Sequence, residues 1–170
     1  RDRESGAMTP PMSLKIIGVD ADDTLWHTET LFRLTHQRFN ELLGEFADAD
    51  TLEAKLSAIE RENMKVFGYG SKGFTLSMNQ TALEVSDSKV SPAVIRELLQ
   101  AGKEMMTHPI EPLPGVEDAL KALAGRFRLV LITKGDLFHQ ESKLAASGLG
   151  ELFAAVEIVS EKDASTYRTV

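Results

Sequence analysis

The chain has 170 residues, enough for one domain with a modest insertion, and its 26 acidic against 19 basic residues give a net charge of −7 at pH 7. This balance argues against nucleic-acid binding, which depends on basic side chains that neutralise phosphates. The absence of cysteine excludes a disulfide scaffold, a thiol nucleophile and a cysteine-based zinc site. No stretch approaches the ~20 apolar residues that cross a bilayer. The polar start, residues 1–12, predicts a tag or disordered segment rather than a secretory signal. We therefore expect a cytoplasmic protein with no nucleic-acid or membrane partner.

Short apolar runs rich in β-branched residues occur at 15–19, 127–132 and 155–159. Runs that are apolar on both faces favour central strands of a parallel sheet. Each run is followed at once by a polar residue, and an α/β sheet places its chemistry at the carboxyl ends of its strands. The sequence therefore predicts an α/β fold with a parallel sheet and a site beyond its strand ends.

The interval between the first two strands is far longer than a single crossover helix and has no convincing strand. Its apolar residues recur at helical spacing, and Ser91 followed by Pro92 is typical of a helix start. We predict a helical insertion over residues 28–108, which splits the main domain into residues 13–27 and 109–170.

The glycine-rich stretch 68–73 lies inside this insertion. It lacks the spacing of a P-loop, which needs four residues between its glycines and Gly-Lys before Ser or Thr. A simple turn between two helices is the favoured interpretation. A substrate-facing loop that uses Lys72 is the alternative.

Three carboxylates, Asp20, Asp22 and Asp23, follow the first strand within four positions. Because like charges this close repel one another, such a cluster suggests a cation site, a nucleophile or both. One carboxylate can attack while the other handles a proton. An acidic cluster that only complements a helix dipole is the structural alternative, and it needs just one aspartate.

The pattern of a hydrophobic strand followed by Asp20-Ala21-Asp22-Asp23-Thr24 resembles the first motif of the haloacid dehalogenase superfamily. Thr133, at the end of the second strand, fits the second motif, and Lys162, after the third strand, fits the third motif. The helical insertion lies where that superfamily carries a C1-type cap. The resemblance implies a Rossmann-like core, split as 13–27 and 109–170, with an inserted cap over 28–108.

The resemblance also implies roles for particular residues. Asp20 would be the nucleophile that forms an aspartyl-phosphate, and Asp22 would be the general acid and then the general base. Thr133 and the backbone amide of Lys134 would bind a phosphoryl oxygen, while Lys162 would neutralise charge beside Asp20. Mg²⁺ would be held by the Asp20 carboxylate and by Asp22 through its backbone carbonyl, ligands that suit a hard cation.

A fourth motif, an acidic pair that completes the Mg²⁺ shell in the superfamily, is absent before Val170. We expect that pair, and the last strands of the core, to lie beyond the end of this chain.

The resemblance predicts a Mg²⁺-dependent phosphatase that cleaves a small phosphorylated metabolite; the oligomeric state is not predicted. Asp22 disfavours a dehalogenase, which needs no acid for its leaving group, and a phosphomutase remains open because it uses the same carboxylate pair. The sequence also leaves open a non-catalytic relative that binds phosphorylated ligands and, least favoured, a signalling receiver domain.

Single residues outside the motifs are interpreted more simply. Asp136 is expected to cap the helix that follows the second strand. His139 is expected on a helix as a surface or half-buried group. The side chain of Lys134 is expected either beside the phosphate site or pointing to solvent.

Overall fold

The computed structural model describes residues 14–169, so the predicted tag over residues 1–12 lies outside the described residues. The helices and strands run in the following order: β1 (Ile16–Val19), α1 (Glu29–Leu43), α2 (Ala49–Phe67), α3 (Ser71–Val85), α4 (Pro92–Thr107), α5 (Val116–Ala124), β2 (Arg128–Lys134), α6 (Leu137–Ser147), a short 3-10 helix (Gly150–Leu152), β3 (Ala155–Val159) and α7 (Thr166–Thr169). No helix in this part of the chain is long and apolar enough to cross a membrane.

The strands form a parallel sheet in the order β1-β2-β3, which confirms the predicted α/β fold. Val19 pairs with Leu131, and Thr133 pairs with Ile158, so the carboxyl ends of all three strands meet at one edge. Strand β2 is central and buried on both faces. It extends through Thr133 and Lys134, beyond its apolar run, because both residues pair with β3.

Helices α1–α4, all inside the predicted insertion, pack around a hydrophobic core of their own. Its buried members are Phe39, Leu43, Leu52, Leu56, Phe74, Met78, Ala82, Val90, Leu98 and Met105. Ser91 caps α4 as predicted, because its side chain accepts a hydrogen bond from the Val94 amide at 3.3 Å. We call α1–α4 the helical unit.

A second hydrophobic core lies between the sheet and the helices of the main domain. Its buried members are Ala21, Leu25, Trp26, Leu120, Leu129, Leu131, Leu144, Leu149 and Phe153. The two segments that connect this core to the helical unit lie side by side: Trp26 bridges to Pro112, and the Leu113 amide donates to the Leu25 carbonyl at 2.7 Å.

The stretch 68–73 forms a turn between α2 and α3, as the favoured interpretation predicted, and α3 begins within it at Ser71. Gly68 and Gly70 have φ angles of 74° and 114°, a region that favours glycine. A Cβ on Gly70 would lie 3.3 Å from the Asp136 amide nitrogen, so the turn rests directly on the start of α6.

Candidate active site

The predicted nucleophile and the predicted third-motif lysine meet beyond the carboxyl ends of the strands. The Lys162 ammonium, in the loop after β3, forms an ion pair with Oδ1 of Asp20, which directly follows β1. The Ala21 amide donates to the same oxygen at 2.8 Å. No donor among residues 14–169 bonds Oδ2 of Asp20, and 48% of this side chain is exposed. Asp20 therefore presents a carboxylate oxygen to an incoming ligand.

The Asp22 carboxylate has a very different environment, because it accepts hydrogen bonds from four side chains. Oδ1 accepts from the Trp26 indole at 2.8 Å, from the Thr28 hydroxyl at 2.8 Å and from the Lys143 ammonium. Oδ2 accepts from the Gln140 amide at 3.0 Å. The side chain of Asp22 is thus held in one orientation by contacts from the loop after β1 and from α6.

Gln140 connects the second aspartate to the second motif. Its Nε2 lies 2.6 Å from Thr133 Oγ1 and 3.2 Å from the Lys134 carbonyl oxygen. A carboxylate and a carbonyl only accept, so the amide nitrogen, not the oxygen, must face them. The Thr133 hydroxyl consequently accepts from Gln140, which leaves its own hydrogen free to donate to a ligand.

Sequence reasoning did not identify Gln140 and Lys143. They lie three positions apart on α6, so both face the strand ends. Lys143 is only 5% exposed, and a buried lysine is rare unless a carboxylate pairs with it. The sequence shows only a lysine next to the apolar Leu144 in a helix. This signal is weak, because the partner of the lysine, Asp22, lies 121 positions earlier in the chain.

The local charges set the ionisation of Asp22. Burial raises the pKa of this carboxyl group, but the attraction of the Lys143 ammonium and the hydrogen bonds donated to the carboxylate outweigh burial. The pKa of Asp22 therefore lies below the usual value of an aspartate, and the group is ionised at neutral pH.

His139 is 7% exposed, more deeply buried than the half-buried position considered from the sequence. Burial lowers its pKa, and the nearby Lys143 charge lowers it further. The imidazole therefore remains neutral at pH 7. Asp136 caps α6 as predicted, since its Oδ1 accepts from the His139 amide at 2.9 Å.

The turn between α2 and α3 touches this edge of the sheet through polar contacts. The Tyr69 hydroxyl donates to Glu161, and the Lys134 ammonium lies 3.7 Å from the centre of the Tyr69 ring and 3.5 Å from the Glu161 carboxylate. Lys72 forms an ion pair with Asp136 at 2.9 Å. The side chains of Lys134 and Lys72 are thus engaged between the helical unit and the main domain rather than pointing freely to solvent.

A cavity of about 520 Å³ lies beside these contacts. Its walls come from the end of α2 and the following turn on one side, and from the loops after β2 and β3 on the other. The lining residues are Met64, Lys65, Phe67, Gly68, Tyr69, Gly135, Asp136, Leu137, Val159, Ser160 and Glu161.

Comparison with known proteins identifies the family of this chain. A family model described as haloacid dehalogenase-like hydrolase matches residues 14–166. The chain belongs to the haloacid dehalogenase-like hydrolases. No functionally curated protein matches it significantly in sequence.

Solved structures of other haloacid dehalogenase-like proteins share the fold. A haloacid dehalogenase-like family hydrolase from Xanthomonas campestris is 42% identical, with a TM-score of 0.88 over 96% of this chain and 69% of that chain. A 2-haloacid dehalogenase from Pseudomonas syringae is 19% identical, with a TM-score of 0.55 over 86% of this chain and 64% of that one. A predicted phosphoglycolate phosphatase from Haemophilus somnus is 19% identical, with a TM-score of 0.52 over 92% and 71%. The two more distant likenesses concern the fold alone.

Carboxylate and carbonyl oxygens are ligands that suit a hard cation such as Mg²⁺. Among residues 14–169, no group of three or more histidine and acidic side chains could hold a metal ion. The Asp20 carboxylate is partly exposed, whereas the Asp22 carboxylate is already engaged by its four donors. Asp22 would thus serve a metal through its backbone carbonyl, as the resemblance implies.

Proposed function

We propose that the protein hydrolyses the phosphate monoester of a small metabolite through an aspartyl-phosphate on Asp20. The observation that carries this proposal is the contrast between its two carboxylates. Asp20 has an exposed oxygen and one lysine partner, as a nucleophile needs. Asp22, two positions later in the chain, has a carboxylate that four donors hold in one orientation, as an acid–base group needs. Dehalogenation needs no acid at the leaving group, so Asp22 favours phosphate esters over haloacids.

In the first step, Oδ2 of Asp20 attacks phosphorus, and the bond from phosphorus to the ester oxygen breaks. The departing oxygen takes a proton from Asp22. Asp22 is ionised in the ligand-free site, and the negative charge of the bound phosphate raises the pKa of nearby carboxyl groups, which favours its protonation once substrate binds. The free hydroxyl hydrogen of Thr133 donates to a phosphoryl oxygen, and Lys162 offsets the charge that gathers beside Asp20.

In the second step, Asp22 removes a proton from water, which attacks phosphorus and breaks its bond to Asp20. Inorganic phosphate leaves, and Asp22 releases to solvent the proton that it took from water. This release balances the proton that Asp22 took up from solvent when substrate bound, so both carboxylates are ionised again. We propose that the Asp20 carboxylate and the Asp22 backbone carbonyl hold Mg²⁺, which when bound neutralises charge on the transferring phosphoryl group.

We further propose that the helical unit acts as a cap over the site. Its turn, with Tyr69 and Lys72, already contacts the loops that follow β2 and β3. The cavity of about 520 Å³ between them is large enough for the organic part of a small phosphate ester. A cap that closes there would exclude water during the first step and admit it for the second.

The test is the rate of p-nitrophenyl phosphate hydrolysis with Mg²⁺ and after its removal by a chelator, in this chain and in a form extended to include the expected acidic pair. We expect metal-dependent hydrolysis that Asp20→Asn abolishes. The matched control is Asp87→Asn, an exposed turn residue with φ of 51°, a conformation that asparagine adopts equally well. Hydrolysis retained by Asp20→Asn would contradict the nucleophile assignment. Tight binding of a phosphate ester without turnover, in both forms, would favour the non-catalytic relative.

A further inference from the structure

We propose that Lys143 is the positioning residue of the proton-handling group: it anchors Oδ1 of Asp22 so that Oδ2 is the oxygen that exchanges protons. This inference rests on the proposed function and assigns a role to a residue outside the recognised motifs. Lys143 does not touch the substrate; it acts through Asp22.

The first support is the unequal engagement of the two oxygens. Oδ1 accepts from Trp26, Thr28 and the Lys143 ammonium, which leaves it no further acceptor capacity. Oδ2 accepts from Gln140 alone. Oδ2 is therefore the atom with a lone pair available for a proton.

The second support is the position of Oδ2 relative to the phosphate-binding threonine. One atom, Gln140 Nε2, lies 3.0 Å from Asp22 Oδ2 and 2.6 Å from Thr133 Oγ1. Gln140 thus ties the available oxygen to the same side of the site as the Thr133 hydroxyl. Oδ2 therefore lies near the threonine that we propose as the phosphate-binding group, as proton exchange with an ester oxygen requires.

The third support is the burial of the lysine. The Lys143 side chain is 6% exposed, and Asp22 is its one carboxylate partner among the described residues. Burying an ammonium group is costly unless a carboxylate compensates its charge. Stability of the fold does not explain a buried lysine at this position, because an apolar residue would fill the same space at a lower cost in free energy. The geometry instead matches a cation that fixes one oxygen of an acid–base group.

The experiment measures kcat and KM for phenyl phosphate, whose poor leaving group needs a proton. It compares wild type with Lys143→Met, Asp22→Asn and the double variant. Because acid–base catalysis by one positioned group contributes about 100-fold or more, we expect Lys143→Met to lower kcat by about 100-fold. We expect KM to change by less than about threefold, because the interactions that bind substrate and transition state equally well are retained.

The double variant separates positioning from general structural damage. If Lys143 acts only through Asp22, adding Lys143→Met to Asp22→Asn lowers kcat no further. This comparison also stands if Lys143→Met alone fails to fold, because the double variant buries neither charge. Lys143→Arg keeps the cation. Its kcat should therefore be at least about a tenth of the wild-type value and higher than the kcat of Asp22→Asn. The matched control is Lys121→Met, which breaks an exposed ion pair with Glu117 on α5.

Two results would overturn the inference while leaving the proposed function intact. One is a Lys143→Met enzyme with kcat within a few-fold of wild type; the other is a double variant whose loss equals the product of the single losses. A wild-type protein that hydrolyses neither phenyl phosphate nor p-nitrophenyl phosphate would instead overturn the proposed function, and this inference with it.

Discussion

Asp20 and Asp22 have chemically identical side chains, but their surroundings give them different properties. Asp20 is half exposed and has one basic partner, whereas Asp22 is bonded on both oxygens and faces a buried lysine. Breaking a partly exposed ion pair costs little, but removing one partner of a buried pair leaves an uncompensated charge. The two positions should therefore respond very differently to the same substitution.

We expect Asp20→Asn to change the free energy of unfolding by less than about 1 kcal/mol. Asp22→Asn should lower it by about 3 kcal/mol, because Lys143 then remains buried without a carboxylate. Urea denaturation of both variants measures the difference. Equal losses would show that the Asp22–Lys143 pair contributes no more than a surface contact.

His139 gives the protein a pH dependence of stability whose sign follows from its burial. Its folded pKa is lowered by burial, so below about pH 6.5 the unfolded chain binds a proton that the folded chain does not. The contribution of His139 to the free energy of unfolding is fully present above pH 6.5. It is lost as the pH falls toward the lower pKa that His139 has in the folded state.

We therefore expect the melting temperature to fall between pH 7 and pH 5, and His139→Gln to reduce that fall. Thermal unfolding at several pH values measures the effect. The control is His108→Gln at an exposed position, which should leave the slope as in wild type. If the melting temperature of His139→Gln depends on pH as steeply as that of wild type, the assignment to His139 is wrong.

At the scale of elements, helices α3 and α4 approach closely at one glycine. A Cβ on Gly102 would lie 2.0 Å from the Thr75 hydroxyl oxygen and 2.6 Å from its methyl carbon. Thr75 is itself fixed, because its hydroxyl donates to the Ser71 carbonyl at 2.6 Å. The interface has no room for one added methyl group.

We expect Gly102→Ala to destabilise the protein by about 2 kcal/mol, the usual cost of overpacking. Gly125→Ala is the matched control, since φ there is −68° and the nearest atoms to an added Cβ are 3.8 Å away. That control should be neutral or stabilise by about 0.5 kcal/mol. Equal unfolding free energies in chemical denaturation would show that the α3–α4 contact can relax.

The sequence predicted structure best where the structure depends on residues that are close together in the chain. Apolar runs predicted the strands, and Ser91 and Asp136 predicted two helix starts, because each depends on neighbours a few positions away. The four motif residues were predicted from a resemblance to a superfamily, and their catalytic roles stay predictions. Lys143 was missed because its burial depends on a carboxylate 121 positions earlier, which only the folded chain brings near.

At the scale of the whole molecule, two separate hydrophobic cores are joined by two connecting segments and a few polar contacts. No buried side chain belongs to both cores among the described residues. The Tyr69–Glu161 and Lys72–Asp136 contacts are largely exposed, so they hold the turn against the sheet edge only weakly. Relative motion between the helical unit and the main domain should therefore cost little.

We expect the double variant Tyr69→Phe/Lys72→Met to increase amide hydrogen exchange in residues 68–74 and 160–164 without lowering the melting temperature. The matched control is Lys55→Met, which breaks an ion pair with Glu84 inside the helical unit at 2.7 Å. Unchanged exchange in the double variant would show that packing, not these contacts, holds the turn in place.

The pairing of β1 with β2 has a consequence for synthesis on the ribosome. Val19 must pair with Leu131, and the whole helical unit is translated between them. At roughly 5–20 residues per second, helices α1–α4 can bury their own core while β1 still waits for its neighbour. Asp20 is thus made well before Lys162, and it acquires this lysine partner only after β2 and β3 have emerged. A nascent chain of this protein can therefore bury the core of its helical unit before the candidate site is assembled.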